Sequence, residues 1–338
     1  MLATICIPTV HRLEFFREAL ESAASQSFAD YEILVSVNST EPGYYEHVEQ
    51  VAEELKLGHP TRAIRIVKPP RFLHIAGHAN FMVHQSTGPY WCYLGDDDRM
   101  EPSFLETLVP LLDAHEDAGF AFCGFQNIDR NGTVRSDLSA KDARETHLES
   151  LEEGFIPHAA LAHLALRNAL MFPCSVFRRT VLDEFPFDPG NEAADRDFWL
   201  RIADAPVGFG AVYTRAPLLH YRLHEHQYTK LSQRSQSDLI RTLERCHSVA
   251  EAEPSLHNQV LAWTYAKLGK ALLDEGDRAG AWRALLVALR KSPFDRRTYR
   301  FVLQAVMPAF VLEFARRSRG GYEPRRMESS TRDGRLDR

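Results

Sequence analysis

The amino-acid sequence predicts an open α/β fold: a mostly parallel sheet flanked by helices, followed by a helical C-terminal appendage. Three observations carry this expectation. Short apolar runs alternate with helix-periodic stretches through the first ~130 residues. Three consecutive aspartates, 96–98, follow one of those apolar runs, at the kind of strand end where open α/β sheets bind ligands. From about residue 232 the composition becomes helical.

Taken in order, LATICIP (2–8) is nearly all apolar and ends at proline, as suits a strand buried on both faces. FFREALESAASQ (15–26) places Phe15, Phe16, Ala19, Leu20 and Ala23 near helical spacing. YEILVSV (31–37) is a second strand, and strand–helix–strand at this spacing is a parallel unit with a right-handed crossover. HVEQVAEEL (47–55) predicts a helix, AIRIVK (63–68) a strand and NFMVHQST (80–87) a helix. YWCYLG (90–95) is a fourth strand running into the aspartates; SFLETLVPLLDAH (103–115) and GFAFCGFQNID (119–129) read as a helix and a further strand. Residues 130–168 turn polar and charged, then mostly helical, and fit either an acceptor-facing insertion or an exposed loop and helix. AKLGKALLDEGDRAGAWRALLVALRKSPFD (266–295) predicts one tetratricopeptide-like hairpin turning at Gly-Asp. The expected division is therefore a catalytic domain over 1–231, a helical region over 232–322 and a frayed charged tail over 323–338.

The bulk numbers exclude several classes. An apolar fraction of 44% and a charged fraction of 25% over 338 residues are those of a globular chain rather than a disordered one. A net charge of −6 argues against a nucleic-acid partner. The five scattered cysteines (Cys6, Cys92, Cys123, Cys174, Cys246) have no zinc-ligand spacing and read as buried free thiols. No run approaches the ~18 apolar residues of a spanning helix, and no secretory signal opens the chain, so the expected location is cytoplasmic. PAFVLEFARRSRGG (308–321), apolar then basic, is compatible with peripheral contact at the inner membrane face and equally with an ordinary packed helix.

Three adjacent carboxylates repel one another, and placing Asp96, Asp97 and Asp98 at the end of a buried strand is costly unless a cation compensates. Mg²⁺ or Mn²⁺ takes oxygen ligands and bridges to substrate phosphates. A solvated acidic turn with Asp98 as a helix cap is the plainer alternative.

STGPYWCYLGDDDRMEPSFLE resembles the acidic passage of family 2 glycosyltransferases with the GT-A fold, and TICIPTVHRLEFFREALESAASQSFADYEILVSVNST resembles their N-terminal P-T-Y-N-R signature. The resemblance spans roughly residues 2–230, with separated motifs in the family's order. It implies an inverting transfer of a sugar from a nucleotide-diphosphate sugar to an acceptor hydroxyl, dependent on Mn²⁺ or Mg²⁺. A glycan or lipid-linked acceptor in bacterial glycan or surface-polysaccharide assembly is also implied.

Carried over by position, Asp97 matches the metal-binding carboxylate, Asp96 the position that faces the ribose, and Asp98 the acidic residue after it; the resemblance implies a metal held by Asp97 with Asp96 or Asp98 assisting. Gly95 stands where many members have a first aspartate. AADRDFWLRIAD (193–204) matches the segment that supplies the base, implying Asp195, with Asp197 as runner-up and Trp199 as core packing. Pro8, Thr9 and His11 fall on the nucleobase loop. Val37 replaces an aspartate that contacts uracil, so either Asn38 substitutes, or the base is not uracil, or base recognition is loose. Asn80 is placed near the diphosphate or as a cap of its own helix. YRLHEHQYTK (221–230) resembles the closing motif: His224 would coordinate the metal or touch a phosphate, Arg222 would add charge for the diphosphate, and His220 and His226 would be surface or packing residues. Cys174 has no assignable partner for nucleophilic work.

Two rival readings differ in class. A nucleotidyltransferase would need a Gly-rich basic loop after the first strand, and PTVHRLEFF has none. A catalytically impaired relative, acting as a nucleotide- or partner-binding protein, would have Val37 and Gly95 as its marks of decay.

Overall fold

A computed structural model describes residues 1–225 and 232–307. His226, the stretch 308–321 and the tail 323–338 lie outside the described residues. The strands β1 (Ala3–Thr9), β2 (Tyr31–Val37), β3 (Ala63–Val67) and β4 (Tyr90–Tyr93) are all parallel, in the order β3-β2-β1-β4. Their apolar runs are what a strand covered on both faces requires, and all seven residues of β2 are buried. The crossovers are α1 (Leu13–Ala24), α2 (Tyr44–Gly58) and α3 (Ile75–Gln85).

Beyond β4 the sheet becomes mixed. β5 (Arg99–Met100), α4 (Phe104–Asp113), β6 (Ala118–Ile128), α5 (Ser136–Thr146), β7 (Gly154–Ile156), α6 (Leu161–Arg167), β8 (Ser175–Arg178), α7 (Arg179–Glu184), α8 (Ala194–Asp204) and β9 (Gly210–Arg222) follow in the chain. β8 lies antiparallel between β4 and β6, β9 runs parallel to β6, and the two-residue β5 and three-residue β7 pair antiparallel with β9. The completed sheet has nine strands in the order β3-β2-β1-β4-β8-β6-β9-β5, with β7 beside β9 off this path. The mixed α/β architecture agrees with the sequence-based expectation.

Each face of the sheet carries its own core. Phe16 and Leu20 of α1, Val48 of α2 and Leu105 and Leu108 of α4 pack on one side. Met82 of α3, Leu161 of α6 and Phe198 of α8 pack on the other, around a cluster of Phe120, Phe172, Phe177 and Trp199. The C-terminal helices are α9 (Gln233–Arg245), α10 (His247–Ala252), α11 (Pro254–Glu275), α12 (Arg278–Lys291) and α13 (Arg296–Val306). Packing crosses residue 231, because Leu239, Leu243, Val249 and Leu261 join the same core as α6 and α8. The hairpin expected at 266–295 is α11 turning into α12: Gly276, at φ +91°, ends α11, and the Asp277 carboxylate accepts from Gly280 N–H at 2.8 Å to cap α12.

Candidate active site

β4 runs parallel beside β1 and stops at Tyr93, opposite Cys6, three residues before β1 ends at Thr9. Leu94 N–H still donates to Cys6 O at 2.9 Å, so the chain leaves the sheet only at Gly95. Asp98 N–H then donates back to Gly95 O at 3.1 Å, which turns the three aspartates across the sheet's carboxyl edge. A Cβ on residue 95 would lie 2.8 Å from Asp97 Oδ1 and 3.0 Å from Asp98 Oδ2. Those two carboxylates fill the space that an aspartate at 95 would need.

The aspartates have separate surroundings. Asp96 is 1% exposed, and its strongest contact is Arg12 Nη2, 2.7 Å from Oδ1. Neither Asp96 oxygen makes a hydrogen bond of good geometry among the described residues. Burial pushes its carboxyl up to about 7 against the opposing pull of Arg12. Asp97 is partly exposed, and its Oδ2 meets both the Arg12 guanidinium and His224 Nε2, the latter at 3.0 Å. Asp98 is turned inward, its Oδ1 accepting from Arg222 N–H at 2.9 Å; burial and then the Asp97 charge raise its pKa. It caps no helix, because Ser103 precedes α4.

The wall behind these carboxylates comes from α1 and the end of β9. Arg222 is fully buried and donates to Asp97 O at 2.7 Å, Arg130 O at 2.8 Å and Glu18 Oε2 at 2.7 Å. Its guanidinium also lies over the Phe15 ring, 4.7 Å from the centroid. Arg222 therefore braces the aspartate loop from inside, where its motif position had suggested charge for a diphosphate. The next site residue, His224, has a fully covered side chain packed on Phe15 at 4.9 Å between ring centroids.

Residues expected to meet the nucleobase divide in two. Thr9 Oγ1 and Tyr44 OH share a 2.6 Å hydrogen bond, and Arg12 N–H donates to the same Tyr44 oxygen at 3.1 Å, which shapes the loop after β1. Pro8 lies within β1; exposed His11 pairs with Glu41 at 3.2 Å. Asn38, by contrast, has both ends of its amide engaged: Nδ2 donates to Leu73 O at 2.7 Å and Oδ1 accepts from Leu73 N–H at 3.0 Å. Val37 is wholly buried in the core. Asn80 caps no helix; its amide clamps the backbone of Phe187, accepting from N–H at 2.9 Å and donating to O at 2.8 Å. Buried His78 shares a 2.7 Å hydrogen bond with Ser36 Oγ, and burial lowers its pKa to about 4.

In α8, the two acidic residues separate as their helical offset requires. Asp195 is exposed in the first turn, with Oδ1 accepting from Arg196 N–H at 2.7 Å. Asp197 is buried, bound by Arg201 Nε at 2.7 Å and by Thr242 Oγ1 at 2.7 Å, and so ties α8 to α9. Trp199 is in the aromatic core. All five cysteines are buried and free; burial raises the Cys174 thiol, which suits packing and not nucleophilic attack.

Among the described residues no three histidine, cysteine or carboxylate side chains converge as a ready-made metal cluster. Two donors of the right chemistry do converge, the Asp97 carboxylate and the His224 imidazole, beside a buried Asp96 whose oxygens lack hydrogen bonds. The chemistry of that donor set, carboxylate oxygen and imidazole nitrogen, is one that Mn²⁺ accepts, and Asp97 and His224 would hold it. Asp98 Oδ1 is engaged by the backbone N–H of Arg222. Sequence reasoning missed Arg12, Tyr44, Phe15 and Glu18. Only Arg12 had a signal there, as the arginine of the P-T-Y-N-R signature.

An uncharacterized glycosyltransferase of Rickettsia typhi is 25% identical over 232 residues, covering 68% of this chain and 66% of its own length. Among solved structures, S. aureus TarS 1–349 in complex with UDP-GlcNAc superposes with a TM-score of 0.58 at 14% identity, over 89% of this chain and 92% of that one. The mannosyltransferase PcManGT of Pyrobaculum calidifontis, in complex with GDP-Man and Mn²⁺, gives 0.56 at 17% identity over 87% of each chain. These likenesses show the GT-A fold. The family model described as "Glycosyl transferase family 2" matches residues 4–185, more than half of the sequence, and the chain belongs to that family.

Proposed function

We propose that the protein transfers a sugar from a nucleotide-diphosphate sugar to an acceptor hydroxyl with inversion at the anomeric carbon. The observation that carries the reading is the meeting of Arg12, Asp96, Asp97 and His224 at the carboxyl ends of β1 and β4. Asp96, held by Arg12, would face a hydroxyl of the donor's ribose. Asp97 and His224 would hold Mn²⁺ or Mg²⁺, which when bound supplies positive charge for the departing diphosphate. The loop of Thr9, His11 and Tyr44 would border the nucleobase.

Asp195 is the proposed base. An inverting displacement needs one free carboxylate to take the acceptor hydroxyl's proton, and the exposed Asp195 meets that need where the doubly bound Asp197 does not. With Val37 buried and Asn38 engaged, neither offers the base contact that uracil receives elsewhere in the family, so the proposed donor pocket reads the nucleobase loosely or takes a base other than uracil. Complexes of TarS with UDP-GlcNAc and PcManGT with GDP-Man and Mn²⁺ support a nucleotide-sugar donor without choosing between bases. The proposed acceptor is a glycan, free or lipid-linked. No described helix is long and apolar enough to cross a membrane.

A panel of nucleotide sugars, offered with free and lipid-linked glycan acceptors and followed by mass spectrometry, tests the reading. Mass transfer from at least one donor is expected, together with its loss in Asp195→Asn. Absence of both nucleotide binding and transfer across the panel would favour the impaired relative.

A further inference from the structure

Arg12 occupies the place a cation would take. Its guanidinium spans Asp96 Oδ1, at 2.7 Å, and Asp97 Oδ2, while its backbone N–H is pinned to Tyr44 OH. The side chain is 26% exposed, whereas that of Asp96 is 1% exposed, so Arg12 covers the aspartates from the solvent side. Asp97 Oδ2 already has His224 Nε2 at 3.0 Å as a second partner. A metal ion needs a lone pair of that oxygen and would then sit beside a like charge. Arg12 pairs with two of the three adjacent carboxylates, while Asp98 Oδ1 accepts from the backbone N–H of Arg222.

Resting on the donor-site reading above, we propose that Arg12 is a built-in counter-cation that divalent metal must displace from Asp97. The freed guanidinium then turns to the donor's diphosphate. Arg12 thereby couples metal binding to donor binding, so each tightens the other. Metal alone meets an occupied oxygen. Diphosphate alone meets an arginine already neutralised by carboxylates. Together they exchange partners, with the anion taking Arg12 as the cation takes Asp97, and the mutual gain is reciprocal by necessity.

The test is Mn²⁺ binding followed by the electron paramagnetic resonance of the free ion, with and without saturating UDP or GDP. Wild-type protein is expected to bind Mn²⁺ weakly alone and more tightly with nucleotide. Arg12→Gln is expected to bind Mn²⁺ alone about ten-fold more tightly, the scale of one charged hydrogen bond removed from competition, and to gain less from nucleotide. Arg12→Lys, whose ammonium cannot fork across both carboxylates, is expected to fall between them and serves as the second variant should Arg12→Gln not fold. Mn²⁺ affinity equal to or weaker than wild type in folded variants would overturn the proposal and leave the donor-site reading standing. No Mn²⁺ binding by any of the proteins, with or without nucleotide, would overturn both.

Discussion

Replacing Arg222 tests how the aspartate loop is held. Arg222→Met keeps an unbranched apolar chain over Phe15 but removes the guanidinium's hydrogen bonds, among them those to Asp97 O, Asp129 O, Arg130 O and Glu18. The Glu18 pair is worth little, because that carboxylate is 44% exposed and water replaces its partner. The backbone carbonyls are the larger cost, since the two with short bonds, Asp97 O and Arg130 O, each lose a charged donor worth ~1.5–3 kcal/mol net, and Asp129 O at 3.4 Å loses less. Methionine's packing recovers part, leaving an expected loss of about 3–4 kcal/mol. At ~2–4 °C per kcal/mol for a chain of this class, the thermal midpoint should fall on the order of 10 °C. Urea titration and a thermal melt measure it directly, and Arg222→Lys should fall between, keeping charge but not the three-way fork. If Arg222→Met melts within a degree of wild type and loses only nucleotide affinity, Arg222 is a diphosphate ligand and the bracing role assigned to it is wrong.

Two further outcomes are expected. Below pH 6.5 the unfolded chain protonates His78, while the folded chain keeps it neutral down to about pH 4. Its stability contribution is therefore present above pH 6.5 and lost as pH falls, amounting to about 2 kcal/mol between pH 7.5 and pH 5. Urea titrations at those two pH values should show that decrement in wild type and its absence in His78→Asn; equal slopes in both proteins would refute it. Asn80→Ala should cost ~1–3 kcal/mol by freeing the Phe187 backbone, with donor KM unchanged. A raised KM at unaltered stability would return Asn80 to the donor site.

The parallel half of the fold was legible because strands covered on both faces must be apolar throughout, so β1, β2 and β4 stand out as runs. Helix starts were less so. α2 begins at Tyr44, three residues before the periodic stretch, and α3 at Ile75, five before its expected start, because neither first turn has a side-chain cap to mark it. β9 has no such signature: GAVYTRAPLLHYR mixes proline and arginine with its apolar positions and is buried only in part. The same non-local partners explain the site residues. The aspartates and Asp195 belong to motifs, but Arg222 becomes a brace only because β9 delivers it beside Asp97, and Asn38 is engaged only because the loop before α3 passes over it. Arg12 is adjacent to the aspartates in space and 84 residues from Asp96 in sequence, so its role needed the sheet order β2-β1-β4.

The claim at the centre of this account is that a donor site at Asp96, Asp97 and His224 works with Asp195 as the base. Asp195→Asn tests it most directly, read in two measurements on one sample: nucleotide binding in the presence of Mn²⁺, and sugar transfer by mass spectrometry. Unchanged nucleotide affinity is expected, with transfer reduced by ~10²-fold or more, the scale of lost general-base catalysis. Full transfer by Asp195→Asn would contradict it.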